Sequence, residues 1–138
     1  MQKVDIYLET DSIQQAAAKR KYGYVMAVTY KGKLETREGF GQIEGTYHQS
    51  ILRALCEALN RMRIPCEITI HSRNAHVMAH VQKIKEMEEM NFKDSKGNDI
   101  RNHEFWRNIS RQAKTHKLMT QYGHHEYTTW LQDEMRKR

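Results

Sequence analysis

Apolar and mixed side chains alternate along Val4-Asp5-Ile6-Tyr7-Leu8-Glu9, and a period of two predicts a strand. A polar link from Thr10 to Tyr22 follows, and Gly23 to Tyr30 predicts a second strand. Lys31-Gly32 supplies a tight turn into a third strand, Lys33 to Phe40. Three strands with short links form an antiparallel meander. The period then changes. Ile51, Leu52, Leu55, Ala58, Leu59 and Met62 recur at helical spacing, with Thr46 or Ser50 as the entry cap and Pro65 beyond the end.

Cys66 to His71 predicts the fourth strand, and a helix from Arg73 or Asn74 carries Val77, Val81 and Ile84. Asp94-Ser95-Lys96-Gly97-Asn98 is a loop by composition. Helix returns over Asn102 to Lys114, with Phe105, Trp106 and Ile109 as its apolar stripe. Lys117 to Thr120 is a short last strand, and His125 to Met135 closes the chain as a helix with Trp130 and Leu131 on its buried side. The order βββαβααβα predicts an α/β fold, a five-stranded mixed sheet with helices packed on it, in one domain over 1–138.

Composition narrows the class. With 138 residues, one proline and no low-complexity run, the chain has the makings of one compact core. No stretch approaches the roughly 20 apolar residues that span a bilayer. Charge in Met1-Gln2-Lys3-Val4-Asp5, where a secretory signal is apolar, predicts a cytoplasmic protein. Cys56 and Cys66 have no metal-ligand spacing and read as reduced core thiols. A net charge of +6 and a pI near 9.4 point to an anionic partner. Lys19-Arg20-Lys21 and Arg136-Lys137-Arg138 are basic clusters, each also explicable as solvated surface.

The segment from Met90 to Trp106 resembles the basic-handle loop and following helix entry of the ribonuclease H family, with its Asn-x-x-Phe-Trp spacing at Asn102-His103-Glu104-Phe105-Trp106. Glu57-Ala58-Leu59 and Cys66-Glu67-Ile68 are similar to that family too. The resemblance implies its fold over nearly the whole chain. It also implies a site where four carboxylates hold two magnesium ions to cleave the RNA of an RNA–DNA hybrid.

Position by position, that site is altered. Glu9 falls on the first-strand aspartate, and His48 on the first-helix glutamate (Gln49 if the match slips by one). Arg73 falls on the fourth-strand aspartate, and Asp133, in Asp133-Glu134-Met135, keeps the last-helix aspartate. His124 or His125 matches the family's mobile loop histidine. The glycine-rich loop after the first strand is replaced by Asp11 to Tyr22, which has no glycine.

Two Mg²⁺ ions about 3.5–4 Å apart need hard oxygen ligands. A permanently protonated arginine among them opposes binding, since like charges about 4 Å apart cost on the order of 4 kcal/mol even at an effective dielectric near 20. The expected alternative is a metal-free site in which Arg73 bridges Glu9 and Asp133, with His48 hydrogen-bonded into the same cluster.

The expected function is therefore a degenerate ribonuclease H-like domain that binds an RNA–DNA hybrid or double-stranded RNA without cutting it. Thr46, Asn74, Lys93, Lys96 and Arg101 are its candidate nucleic-acid contacts, with no cofactor and no membrane partner. An active endoribonuclease would instead use Glu9 and Asp133 as Mg²⁺ or Mn²⁺ ligands, with Asp11 or Glu44 as a replacement carboxylate. A purely structural or protein-interaction domain is the third reading. His76 and His80 form a helix-competent i, i+4 pair without a metal motif around it.

Overall fold

A computed structural model describes residues 1–138. Five strands form one sheet: β1 (Gln2–Thr10), β2 (Ala18–Tyr30), β3 (Lys33–Gly45), β4 (Cys66–Ser72) and β5 (Lys117–Tyr122), in the order β3-β2-β1-β4-β5. The first three pair antiparallel, whereas β4 runs parallel to both β1 and β5. The helices are α1 (Tyr47–Asn60), α2 (Ala75–Val81), α3 (Ile84–Glu89), α4 (His103–Ala113) and α5 (Thr128–Arg136). This is the mixed sheet with packed helices that the pattern predicts. It carries one helix more than expected, because the helix predicted from Arg73 onward ends at Gln82 and restarts at Ile84. Val81 and Ile84 are both buried across that break, so the apolar spacing runs through it unmarked.

Alternation sorts the central strands onto two faces. Val4, Ile6 and Leu8 of β1, with Ile68 and Ile70 of β4, face α1 and α4 in the main core. Tyr7 of β1, with Val25 and Ala27 of β2, faces the other way, against Leu131 and Met135 of α5. Leu131 and Met135 sit one turn apart and take the core-facing stripe of α5. Trp130 is displaced to the flank beside Phe40 and stays 41% exposed, contrary to its expected burial.

β2 and β3 run well beyond the expected ends, pairing from Tyr30 with Lys33 out to Ala18 with Gly45. Gly39 and Gly41 make this possible. They lie opposite Tyr24 and Tyr22, whose rings cross over them. A Cβ at Gly41 would meet the Tyr22 hydroxyl at 2.2 Å. These glycines give room to aromatic rings and do not end the strand.

α1 begins with a reciprocal cap: Gln49 N donates to Thr46 Oγ1, and Thr46 N donates to Gln49 Oε1. Both cysteines are buried and unpaired, and burial pushes the Cys56 thiol up to about 12. No helix is long and apolar enough to cross a membrane.

Arg20 is buried without a carboxylate partner. Its guanidinium donates to the carbonyls of Gly45 (2.9 Å), Ser12 (2.8 Å), Ala16 (2.5 Å) and Gln14. One side chain thus satisfies and fixes the glycine-free link between β1 and β2. Arg20→Met keeps the stem but strips four carbonyls of their donor. It is expected to cost about 3 kcal/mol in urea unfolding, with proteolysis concentrated in residues 11–17.

Candidate functional site

The parallel pairing of β1 with β4 sets Tyr7 opposite His71. Two residues further along the chain from each, Glu9 stands in β1 and Arg73 just beyond the end of β4. Arg73 Nε donates to both carboxylate oxygens, at 3.2 Å (Oε1) and 3.0 Å (Oε2), and Nη2 donates to Oε1 at 2.6 Å. Thr10 N adds a third donor to Oε1 at 3.2 Å. Glu9 is 1% exposed, and the Arg73 side chain 17%. The pair is therefore nearly dry, and the hydrogen bonds to Glu9 raise the Arg73 pKa above its ordinary value.

His125 closes the pocket from the α5 side. Its Nε2 lies 3.0 Å from the Leu8 carbonyl and 3.9 Å from Glu9 Oε2, and its Nδ1 accepts from Tyr127 N at 3.2 Å. An imidazole that accepts at Nδ1 and donates at Nε2 is neutral. Burial lowers its pKa below the ordinary 6.5. His125 is thus tied into the fold through both ring nitrogens, whereas His124 is exposed in the loop before α5.

The remaining matched positions do not join this pair. Asp133 is half exposed and pairs with Arg136 of its own helix at 2.5 Å, so the expected bridge from Arg73 to Asp133 is not formed. His48 turns toward α2, where its Nδ1 lies 2.8 Å from Asn74 Nδ2. Asn74 Oδ1 already caps α2 by accepting from Val77 N, so the amide must donate to His48. Burial lowers the His48 pKa, and the neighbouring His80 and Arg101 lower it further.

The residues present do not fit a two-metal centre. One carboxylate is paired side-on with a guanidinium, another is engaged on its own helix, and nowhere do three or more His, Cys, Asp or Glu side chains converge as a metal would require. Asp11 and Glu44 are exposed; Asp11 N continues the strand ladder to the Lys21 carbonyl.

The expected nucleic-acid contacts divide. Thr46 spends its hydroxyl on the α1 cap, and Asn74 is buried with both ends of its amide engaged, so Asn74 is not free to meet a 2′-hydroxyl. Lys93, Lys96 and Arg101 belong to the loop between α3 and α4. A bridge from Lys93 to Asp99 pins that loop, and Asp94 Oδ1 accepts from the backbones of Lys96 and Asn98. Lys96 and Arg101 are exposed, while Lys93 pairs with Asp99 at 2.6 Å.

Residues that the site reading did not include complete the picture. His48, His76 and His80 stack at 4.2 and 4.1 Å between ring centroids, and Trp106 lies 6.0 Å beyond His80. They line a groove of about 540 Å³ shared with Lys83, Lys93 and Arg101. The i, i+4 spacing of His76 and His80 was visible in the sequence; the third ring, from α1, depends on how α1 and α2 meet. On the α5 side, His71 Nε2 lies 2.8 Å from Asp5 Oδ1, and Tyr7 stacks on His71 while its hydroxyl donates to Glu126.

No protein-family model matches the chain. Among curated proteins it is similar to ribonuclease HI of Haemophilus influenzae, at 30% identity over 92 residues, and to ribonuclease H of Helicobacter pylori strain HPAG1, at 27% over 119 residues. The first match takes in 62% of this chain and about 60% of the Haemophilus protein; the second takes in 86% of this chain and 78% of its relative.

Two solved structures share the fold. One is the LC9 type 1 ribonuclease H with the type 2 active-site motif, with a TM-score of 0.73 at 13% identity over 97% of this chain and 70% of that one. The other is the ribonuclease H domain of prototype foamy virus, with a TM-score of 0.69 at 14% identity, over 97% of this chain and 90% of that one.

Two outcomes follow from the buried pair and its histidine. Arg73→Ala leaves the Glu9 carboxylate buried and unpaired, and is expected to lose about 3–5 kcal/mol in chemical denaturation. Glu9→Gln with Arg73→Gln is expected to recover most of that loss. His48, His76 and His125 all have folded-state pKa values below the ordinary 6.5. The unfolded chain therefore takes up protons first as the pH falls. Stability is expected to be full above that value and to drop as the pH falls through it. Urea midpoints at about pH 7.5 and pH 5 test this, and His125→Gln should flatten the dependence.

Proposed function

Because the chain is a ribonuclease H-like domain by fold and by sequence similarity, we propose that it binds the nucleic acid such domains recognise, an RNA–DNA hybrid or double-stranded RNA, without cleaving it. The observation that carries this reading is the side-on pair of Arg73 with Glu9. A guanidinium stands among the residues matched to the metal ligands, and it neutralises the buried carboxylate that a metal would need. The fold keeps its stability while the chemistry of metal-assisted hydrolysis loses its ligands.

Binding does not depend on those ligands. Backbone phosphates supply most of the affinity of such complexes, through cations that need only be exposed and clustered. Lys96 and Arg101 meet that requirement, and Lys93 meets it if a phosphate displaces Asp99. Thr46, whose hydroxyl, N–H and carbonyl are engaged in the start of α1, is retained as a candidate contact only through its methyl group. Asn74 acts indirectly, by holding His48.

The names of the curated relatives favour a second reading, an active metal-dependent endoribonuclease. In that reading Glu9 exchanges the guanidinium for Mg²⁺ or Mn²⁺, Asp133 turns in from α5, a further carboxylate such as Asp11 of the link after β1 or Glu44 near the end of β3 completes the ligands, and His124 serves the departing product. Glu9 has to give up Arg73 and Asp133 has to give up Arg136, which ranks the reading second.

The binding claim is tested by fluorescence anisotropy of a labelled hybrid across a salt series. Contacts from Lys93, Lys96 and Arg101 predict a slope of log affinity against log salt of about −3, near −0.9 per phosphate. Lys96→Ala with Arg101→Ala should bring the slope to about −1. Binding that is absent at low salt, or indifferent to salt, removes the reading in favour of a structural domain.

A further inference from the structure

The guanidinium of Arg73 has a side edge, formed by Nε and Nη2, and an outer edge, formed by Nη1 and Nη2. Glu9 occupies the side edge completely. Nη1 has no partner within the protein, yet it is not among the enclosed polar atoms left without one. It therefore reaches solvent. On a planar guanidinium the outer edge carries two parallel N–H groups, a fork that matches two oxygens of a phosphate or carboxylate.

That fork is held in place. Glu9 is buried and further tied by Thr10 N, so it acts as a fixed anchor for the arginine. The surroundings favour an anion accepting hydrogen bonds. Burial, followed by the nearby Glu9 charge, pushes the Tyr47 phenol up to about 12, so it stands protonated beside the pair. Arg101 acts on His48 from the groove side. A phosphodiester is a better fit than a free carboxylate, because it arrives within a chain that Lys96 and Arg101 also attract.

We propose that the outer edge of Arg73 is a phosphate-binding position, which takes two oxygens of one backbone phosphate of the bound nucleic acid. This rests on the nucleic-acid-binding reading above and adds its central contact. The pair then has a division of labour: Glu9 orients the guanidinium, and Arg73 presents to the phosphate the positive charge that metal ions supply in two-metal sites.

Glu9→Gln with Arg73→Gln tests the contact without altering net charge, so long-range attraction is unchanged. Circular dichroism and urea unfolding establish that the double variant is folded. Its hybrid affinity is expected to fall about tenfold, the worth of a charge-assisted bond, and its salt slope to become shallower by about 0.9. Unchanged affinity and slope overturn the phosphate position while leaving the binding reading intact.

A measurement on the unaltered protein serves if the variant does not fold. In ¹⁵N spectra of the arginine side chains, titration with inorganic phosphate should shift the Arg73 Nη signals while Nε, held by Glu9, moves little. Arg73 signals that stay still across a millimolar titration overturn the proposal. If the protein binds no hybrid but Arg73 responds to phosphate, the anion position stands and the nucleic-acid reading falls.

Discussion

A buried carboxylate must be answered by positive charge, and in this chain Arg73 answers Glu9. The register of β1 against β4 brings the two together, and burial makes the interaction strong. Once the pair forms, the geometry around it follows. Thr10 N and the two guanidinium nitrogens donate to the carboxylate, His125 stands neutral beside them because it is buried and its Nδ1 accepts from Tyr127 N, and Asp133 pairs within its own helix. A metal centre and an arginine pair are alternative solutions to the same electrostatic problem at the end of β1. They compete because both draw on the same carboxylate and a guanidinium held beside it repels a cation.

The rest of the molecule separates what holds the site from what can meet a ligand. Asn74 caps α2 and orients His48; Thr46 and Gln49 cap α1; His125 joins the end of β1 to the turn before α5. These groups have spent their hydrogen bonds inside the protein. The groups with bonding capacity to spare lie outside: the outer edge of Arg73, the exposed cations of the loop between α3 and α4, and the stacked imidazoles lining the groove between them. That distribution suits recognition of a polyanion better than bond-breaking, where the reactive groups must converge on one point.

Much of the fold was legible because its signals are local. The period change after Phe40, the cap at Thr46 and the handle-like segment through Trp106 each place an element correctly. What was not legible depends on partners distant in sequence. The sequence pattern ends the third strand at Phe40, and its continuation to Gly45 depends on Gly39 and Gly41 leaving room for the rings of Tyr24 and Tyr22. Val81 and Ile84 keep one apolar spacing across two helices. Glu9 and Arg73 could be matched as a pair from sequence through the family resemblance, which puts both on metal-ligand positions. The partners of Asp133, His48 and Asn74 could not, because each depends on which way a side chain turns at a helix end. The stacking of His48 on His76 is equally a product of helix packing and left no periodic trace.

The central claim is that the arginine pair has replaced the metal-dependent chemistry at this site. An end-labelled RNA–DNA hybrid incubated with the protein in Mg²⁺, in Mn²⁺ and in chelator, with the Glu9→Ala variant alongside, measures this most directly. The account predicts intact RNA under all three conditions. Metal-dependent cleavage that disappears in Glu9→Ala would contradict it, since Glu9 would then be giving up Arg73 to hold a cation.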